Sequence, residues 1–282
     1  MKITDVRSHP LQTPLAQPFA FSQGWVNKRS ATLVEIVTDT GITGWGEAFN
    51  QGLEPPQISA AAIEYALKPL ILGADPLATE VLWRHMYHQT RDYGRKGSVI
   101  AAISAVDIAL WDIAGKHYGV PIAKLLGGFF RNKVAAYATG FYRISGQGEA
   151  SRLGEEAIAH YEAGFRAMKV KLGYGLDDDL AVMREIKRAL GAREVTLMQV
   201  NPHVWGSGVA QAASLQLIAA LPVTHHAVFP TQPILEYDTS SHPFRRDLIS
   251  PAVVQRDGSV DIPLGPGLGI EINREVLERY RA

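Results

Sequence analysis

The sequence predicts an α+β unit of about 125 residues, followed by an α/β unit built as an incomplete (β/α) barrel. Strand patterns with a hairpin come first and helical patterns follow, which is typical of an α+β unit. From Lys133 onward strands and helices alternate across short loops, which indicates a parallel sheet or barrel. Only 150 residues remain from Lys133 to the end. A complete eightfold barrel takes roughly 250 residues.

The first predicted elements are strands. Lys2–His9 alternates in part and predicts a short strand, whereas the proline- and glycine-containing segment Pro14–Trp25 is expected to be a loop. Ala31–Thr38 and Ile42–Glu47 are rich in β-branched residues around a glycine-containing turn, which predicts a hairpin. Three helices with apolar residues at helical spacing are then expected. They are Gln57–Lys68, Leu77–Gln89 and Val99–Lys116.

The second unit alternates between the two element types. The predicted strands are Val134–Thr139, Ala167–Leu172, Val195–Val200 and a short apolar piece at Pro233–Leu235. The predicted helices are Ala150–Gly164, Leu176–Leu190 and Val209–Leu221. These four or five strand–helix units leave a barrel about 100 residues short.

Composition bounds the class of protein. Apolar residues make up 46% and charged residues 20%, which indicates a globular chain with a sizeable core. The net charge is zero, which argues against a strongly basic nucleic-acid binder. The absence of cysteine excludes disulfides and thiolate metal sites. The start, Met1–Pro10, lacks a signal-peptide pattern, and no apolar stretch is uninterrupted for long enough to span a membrane. We therefore expect a soluble, cytoplasmic protein without nucleic-acid or membrane partners.

Two lysines stand close together in the predicted strand Ala167–Leu172. Because side chains alternate across a strand, Lys169 and Lys171 are expected on one face. Neighbouring ammonium groups lower each other's pKa, which can make a lysine a base near neutral pH. The alternative interpretation is an ordinary solvent-facing side of the strand.

A histidine and a glutamate stand where strands are expected to end. His203 follows Val195–Val200, and Glu236 follows the apolar run Pro233–Leu235. Because sites in α/β folds form at the carboxyl ends of strands, His203 is a candidate base or acid. Glu236 is a candidate acid or hydrogen-bond donor. The alternatives are a turn histidine that caps backbone groups and a surface-loop carboxylate.

Seven segments carry a further signal in combination. They are GWGE (Gly44–Glu47), AISAVDIALWDIAGK (Ala102–Lys116), PIAKLLGG (Pro121–Gly128), the Lys169/Lys171 pair, PHVWGSG (Pro202–Gly208), PILEYD (Pro233–Asp238) and GPGLGIEIN (Gly265–Asn273). In this order they resemble the mandelate racemase/muconate lactonizing enzyme family of the enolase superfamily. Within that family the sequence is most similar to acid-sugar enzymes of the galactarolactone cycloisomerase and dehydratase type.

The resemblance implies an enolase-like N-terminal capping domain over residues 1–125 and a truncated TIM-type (β/α) barrel over 126–240. A C-terminal segment, 241–282, would return to the capping domain. The implied activity is that of a lyase or isomerase of carbohydrate catabolism. Such an enzyme abstracts a proton α to the carboxylate of an acid sugar or its lactone, and Mg²⁺ stabilises the enediolate. A homo-oligomer is also expected.

The resemblance also implies roles for single residues. Lys171 is similar to the base of the second barrel strand, and Lys169 would tune it. His203 resembles the base or acid of the seventh strand, and Glu236 resembles the acid of the eighth strand that bonds the substrate carboxylate. The segment Pro14–Trp25 and the residues after Glu47 would close over the substrate.

The sequence departs from the family pattern in one respect. The strand Val195–Val200 runs directly into the PHVWGSG motif, and segments similar to the fourth, fifth and sixth barrel units are absent. The three carboxylates that hold Mg²⁺ in the family belong to the missing region, so no metal ligand is assigned in this chain. The sequence therefore predicts an internal deletion. The alternative function is that of a catalytically dead remnant with a binding or oligomerisation role only.

Overall fold

A computed structural model describes residues 1–50, 53–146, 148–198, 204–222 and 233–282. The chain opens with a three-stranded antiparallel sheet in the order β1-β2-β3. Its strands are β1 (Ile3–Phe21), β2 (Gly24–Thr38) and β3 (Thr43–Ala48). The predicted hairpin is present, but the expectation of a loop over Pro14–Trp25 is wrong. Those residues extend β1 and β2 into a long arm. β1 is an edge strand, where proline costs no ladder hydrogen bond.

Helices follow the sheet, as expected. They are α1 (Pro56–Ala61), a π-helical segment (Ala62–Leu67), α2 (Lys68–Ile71), α3 (Thr79–Gly94), α4 (Ser98–Tyr118) and α5 (Ile122–Leu125). α4 is long and apolar enough to cross a membrane by length and composition alone. Its apolar side chains, such as Ile103, Val106 and Leu110, are fully buried against the sheet and its neighbouring helices, which accounts for its hydropathy as that of a core helix.

The second unit contains four parallel strands in the order β6-β5-β4-β7, which belong to a mixed six-stranded sheet. Its strands are β4 (Lys133–Thr139), β5 (Ala167–Lys169), β6 (Thr196–Met198) and β7 (Leu235–Asp238). The helices of this unit are α6 (Ala150–Glu162), α7 (Leu176–Leu190) and α8 (Gly208–Ala220). Over the described ranges the sheet is open rather than closed into a barrel. β5 is shorter than predicted, so Lys171 follows the strand instead of lying in it.

The C-terminal segment ties the two units together. Its elements are α9 (Pro243–Arg246), β8 (Ile249–Ser250), β9 (Gln255–Arg256), β10 (Ser259–Asp261), β11 (Glu271–Ile272) and α10 (Arg274–Arg279). β10 pairs with the first half of β4. The chain then returns to β1, where the Gln12 N–H donates to the Tyr280 carbonyl at 2.9 Å.

The apolar core consists of two main clusters. One lies within the N-terminal unit, and the other joins Leu11, Leu33 and Trp45 of its sheet to the second unit. In the N-terminal unit α4 lies flat on the antiparallel sheet, because two glycines of β3 leave room for its backbone. A Cβ added to Gly46 would stand 2.0 Å from the Ala105 carbonyl oxygen, and one added to Gly44 would stand 2.2 Å from that of Ala109. In the second unit one face of the parallel sheet packs its apolar side chains on the helices.

The close approach at Gly46 generates a stability prediction. Gly46→Ala is expected to lower the free energy of unfolding by about 2 kcal/mol or more, since backbone must move to admit the methyl group. Urea denaturation measures the change. Asn27→Ala, at an exposed position of β2, is the control and should change stability by less than about 0.5 kcal/mol. Equal effects of the two substitutions would contradict the packing argument.

Candidate functional site

The parallel sheet has a polar face at the ends of its strands. Thr139 pairs with Lys169 on one side and with Asp238 on the other, and Tyr137 pairs with Glu236. Paired residues of neighbouring strands point to the same face, so these five side chains share one surface. All five are buried. Two predicted site residues, Lys169 and Glu236, are therefore brought together from positions 67 residues apart in sequence.

Lys169 and Glu236 form a buried ion pair. One carboxylate oxygen of Glu236 accepts from the Lys169 ammonium and, at 2.8 Å, from the Thr139 hydroxyl. The other accepts from the Val204 N–H at 2.6 Å. Glu236 is 1% exposed. Both carboxylate oxygens thus accept hydrogen bonds from groups of the same chain. The proton-donating role that the resemblance implies for Glu236 stays a prediction.

Lys171 lies just beyond the end of β5. Burial, with the neighbouring charge of Lys169 as a second cause, lowers the pKa of Lys171 to about 8, although the carboxylates of Glu236 and Asp238 oppose the shift. Its Nζ stands 5.2 Å from the centre of the Tyr142 ring. A large fraction of Lys171 is neutral near pH 8, which is the state that can accept a proton.

Asp238 anchors the N-terminal arm to the site. Its Oδ2 accepts from Arg29 of β2 at 3.3 Å and forms an ion pair with Arg245 at 2.8 Å, while Arg245 donates to the Asp238 backbone carbonyl. Ser240 donates to Oδ1 through its hydroxyl at 2.6 Å and through its N–H at 3.1 Å. Burial alone would raise the pKa of Asp238, but the charges of Arg245 and Arg29 outweigh it, and the pKa lies well below its usual range.

Aromatic side chains cover this cluster. Trp205 packs with Phe19, Phe21 and Tyr142, and the Arg29 guanidinium lies 4.5 Å from the centre of the Trp205 ring system. The Tyr142 hydroxyl donates to Asp238 at 3.4 Å. The arm thus reaches the site as a β-hairpin rather than as the loop that was expected. A cavity of about 500 Å³ lies beside Tyr142, between the arm, α6 and the loop after β7.

A second contact joins the two units behind the arm. Glu47, at the end of GWGE, accepts from the Ser207 N–H at 2.8 Å, its hydroxyl at 2.5 Å and the Ala210 N–H at 3.0 Å. Burial raises the pKa of Glu47 despite these hydrogen bonds. Gly206 leaves the space that this carboxylate occupies, since an added Cβ would stand 2.6 Å from Oε1 of Glu47. The N-terminus of α8 is therefore held against β3.

His203, the remaining predicted site residue, lies outside the described residues. Three residues that sequence reasoning missed are Arg29, Tyr142 and Arg245. Arg29 is separated from Asp238 by 209 positions, so no local pattern could have joined them. Asp238 does stand in the PILEYD motif, although no role was assigned to it.

The described residues do not fit a magnesium site. They include no group of three or more histidine, aspartate or glutamate side chains placed to hold a metal ion. Mg²⁺ requires oxygen ligands with free lone pairs. The carboxylates at the strand ends, Glu236 and Asp238, already form ion pairs with Lys169, Arg29 and Arg245 and accept hydrogen bonds from further donors. Their oxygens act as counter-charges to side chains of the same chain.

The engagement of both carboxylates predicts the outcome of a metal titration. Calorimetry with Mg²⁺ at pH 7.5 is expected to show no stoichiometric binding, because a ligand would first have to lose a buried cationic partner. The protein with excess EDTA is the control and should melt at the same temperature as the protein with Mg²⁺. One ion bound per chain would overturn this prediction.

The buried ion pair generates a second prediction. Glu236→Gln is expected to destabilise the fold by about 3 kcal/mol or more, because it leaves the Lys169 charge buried without its counter-charge. Adding Lys169→Met should recover much of that loss. Chemical denaturation of both single variants and the double variant measures the coupling. The surface pair Glu80–Arg84 offers a matched control, since Glu80→Gln should cost less than about 1 kcal/mol. Additive effects at 169 and 236 would count against the pairing.

Comparison with known proteins agrees with this architecture. Residues 3–127 match the family model of the mandelate racemase/muconate lactonizing enzyme N-terminal domain, and residues 194–276 match an enolase C-terminal domain-like model. Two solved structures share the fold, with each alignment covering all of this chain. The 3,6-anhydro-D-galactonate cycloisomerase of Zobellia galactanivorans has a TM-score of 0.84 at 24% identity, with all of that chain covered. An enolase-superfamily member from Polaromonas sp. JS666 has a TM-score of 0.84 at 22% identity, with 98% covered.

Sequence relatives extend the match. The D-galactarolactone cycloisomerase of Agrobacterium fabrum is 31% identical over 379 positions, which cover all of this chain and 99% of that protein. The arabinonate dehydratase of Saccharolobus solfataricus is 41% identical over 158 positions, or 56% of this chain and 41% of that protein. These matches confirm the predicted fold class and the resemblance noted from the seven segments. The chain belongs to the mandelate racemase/muconate lactonizing enzyme family of the enolase superfamily.

Proposed function

We propose that this chain binds an acid sugar or its lactone and that Lys171 removes the proton α to the carboxylate. The observation that carries the proposal is the position of Lys171, which follows β5 beside a second cation and the Tyr142 ring. The names of the similar proteins support the substrate class, since they act on galactarolactone and arabinonate. The reaction would be an isomerisation or a dehydration that begins with this proton transfer.

The residues of the site divide the work. Neutral Lys171 accepts the proton at Nζ, and the electron pair of the C–H bond moves onto the substrate carboxylate or lactone carbonyl. Lys169 places a positive charge near that developing anion, although its ion pair with the Glu236 carboxylate offsets part of this charge. The aromatic cover formed by Tyr142 and Trp205 excludes water, which strengthens each electrostatic contact. No described residue supplies a second cation dedicated to the enediolate, so a low rate is expected.

A second candidate function is acid-sugar binding without turnover. The ion pairs of Glu236 and Asp238 favour it, because carboxylates that are paired with Lys169, Arg29 and Arg245 are not free to take part in proton transfer. The arginine-rich floor of the site would still attract a carboxylate. The chain would then be a family member that has kept its ligand surface and lost its chemistry.

We propose further that the barrel is shortened by an internal deletion between its third and seventh strands. The alignment to the Agrobacterium fabrum relative runs over 379 positions, whereas this chain has 282 residues. Loss of the fourth, fifth and sixth strands would leave five. Four parallel strands, β4 to β7, lie in the described ranges, and the segment similar to the seventh strand, around His203, lies outside them. In this interpretation residues 1–125 are the capping domain, 126–240 are the shortened barrel and 241–282 return to the cap.

Exchange of the substrate α-proton with deuterium tests the proposed reaction. Galactarolactone, arabinonate and galactonate are incubated in D₂O with the protein, and NMR follows the loss of the α-proton signal. Because only the neutral amine is a base, the rate should rise with pH through about 8 and level off above it. Lys171→Ala should slow exchange about 100-fold or more.

The exposed residue Lys187 provides the matched control, and Lys187→Ala should leave exchange unchanged. Calorimetric affinity for the same acids separates the two candidate functions. Binding of an acid sugar without α-proton exchange at any pH would support the second candidate function, acid-sugar binding without turnover. An unchanged rate of α-proton exchange in the Lys171→Ala variant would contradict the assignment of Lys171 as the base.

A further inference from the structure

A second cavity, of about 520 Å³, lies between the first turn of α8, the loop after β7 and α9. Its wall includes Gln211 and most of the segment 237–247. Part of this loop also borders the first cavity, on the side of the arm. Among the described residues, neither Lys171 nor Glu236 lines the second cavity. It is therefore a space apart from the proposed reaction, and its size suits a small organic molecule or ion.

Three buried polar side chains of this wall carry atoms that no described residue bonds. The atoms are the amide oxygen and nitrogen of Gln211, Nδ1 of His242 and Nη2 of Arg245. The three residues are 1%, 8% and 6% exposed. Because a buried polar group without a partner costs free energy, such groups are nearly always paired in folded proteins. Four such atoms around one cavity indicate that a polar molecule completes their hydrogen bonds.

Gln216 shows how the same helix holds an ordinary buried glutamine. It lies on α8 and is also 1% exposed. Its Oε1 accepts from the Ala123 N–H at 3.1 Å, and its Nε2 donates to the Pro263 carbonyl at 2.7 Å. Gln211 has equal burial, yet neither of its amide atoms bonds a described residue. Burial on α8 therefore does not account for the free amide of Gln211, whereas a ligand in the cavity would.

The charge around the cavity favours an anion. The Arg245 guanidinium donates to the Asp238 backbone carbonyl at 2.8 Å and to a second backbone carbonyl at 3.0 Å, which fixes it with Nη2 facing no described acceptor. Burial, with the charges of Arg245 and Arg29, holds the pKa of His242 well below its usual range, against the opposing carboxylate of Asp238. His242 is therefore neutral at pH 7, and two positive charges face one negative charge. At the exposed rim one arginine and one aspartate cancel each other.

We propose that this cavity binds a small oxyanion that carries a hydroxyl group, either a hydroxycarboxylate or hydrogen phosphate. The anionic oxygens accept from Nη2 of Arg245 and Nε2 of Gln211, and the ligand hydroxyl donates to Oε1 of Gln211. Neutral His242 can donate or accept at Nδ1, according to its tautomer. This site goes beyond the proposed reaction and uses none of the groups assigned to proton transfer.

Calorimetry at pH 7 with D-glycerate and with inorganic phosphate tests the site. At least one of the two anions should bind at one per chain, and the one that binds identifies the source of the oxyanion. Acetate has the charge but no hydroxyl, and it should bind about tenfold more weakly or not at all. Absence of binding by both anions would leave water as the occupant and overturn the proposal.

Two glutamine variants provide the matched comparison. Gln211→Met should weaken binding about tenfold or more, since it removes a donor and an acceptor, and it should not lower the melting temperature of the unliganded protein. Gln216→Met should keep the affinity and lower the melting temperature by about 2 °C or more, because it leaves the partners of its amide unpaired. His242→Phe, a second variant of the wall, should weaken binding about threefold or more. An affinity that Gln211→Met leaves unchanged would contradict the assignment.

Lys171→Ala separates this site from the proposed reaction. The variant should bind the anion with the affinity of the parent protein, whether or not α-proton exchange is found. An anion that is lost from the Lys171→Ala variant and kept by the Gln211→Met variant would lie at the strand ends instead. That result would refute the second site and leave the proposed reaction standing.

Discussion

The carboxylate of Asp238 lies in the interior between the guanidinium groups of Arg29 and Arg245, and much of the structure depends on this contact. It joins the antiparallel sheet to the last parallel strand, because Arg29 belongs to β2 and Asp238 to β7. Loss of one partner would leave a buried charge without compensation, which is among the costliest changes a fold can suffer. The arm that covers the site is thereby held at its base, and Tyr142 is placed over Lys171.

The sequence predicted most of the fold because its patterns are long and regular. The hairpin, the buried helix α4 and the alternation after Lys133 all follow from periodicity. The prediction failed at Pro14–Trp25, where prolines indicated a loop. Proline interrupts a strand only where its missing N–H is needed, and β1 lies at the edge of its three-stranded sheet. The end of β5 was also placed too late, since Lys171 continues the alternating pattern without a partner strand.

The candidate site was predictable in part. Lys169, Lys171 and Glu236 were identified from strand ends and from the motifs around them, and the structure brings Lys169 and Glu236 into contact. What could not be predicted is how each charge is used. Whether a carboxylate is free or engaged depends on partners far away in sequence, such as Arg29. Sequence spacing carries no information about such pairs.

The balance of charge at the strand ends has a consequence for molecular recognition. Arg29, Arg245 and Lys169 outnumber the carboxylates of Glu236 and Asp238, and Lys171 adds a fourth cation below pH 8. The positive potential of this site is therefore carried by side chains and cannot be stripped by a chelator. It weakens with ionic strength instead, since salt screens fixed charges at distances of about 10 Å. The affinity of the site for an anionic ligand is therefore expected to fall as the salt concentration rises.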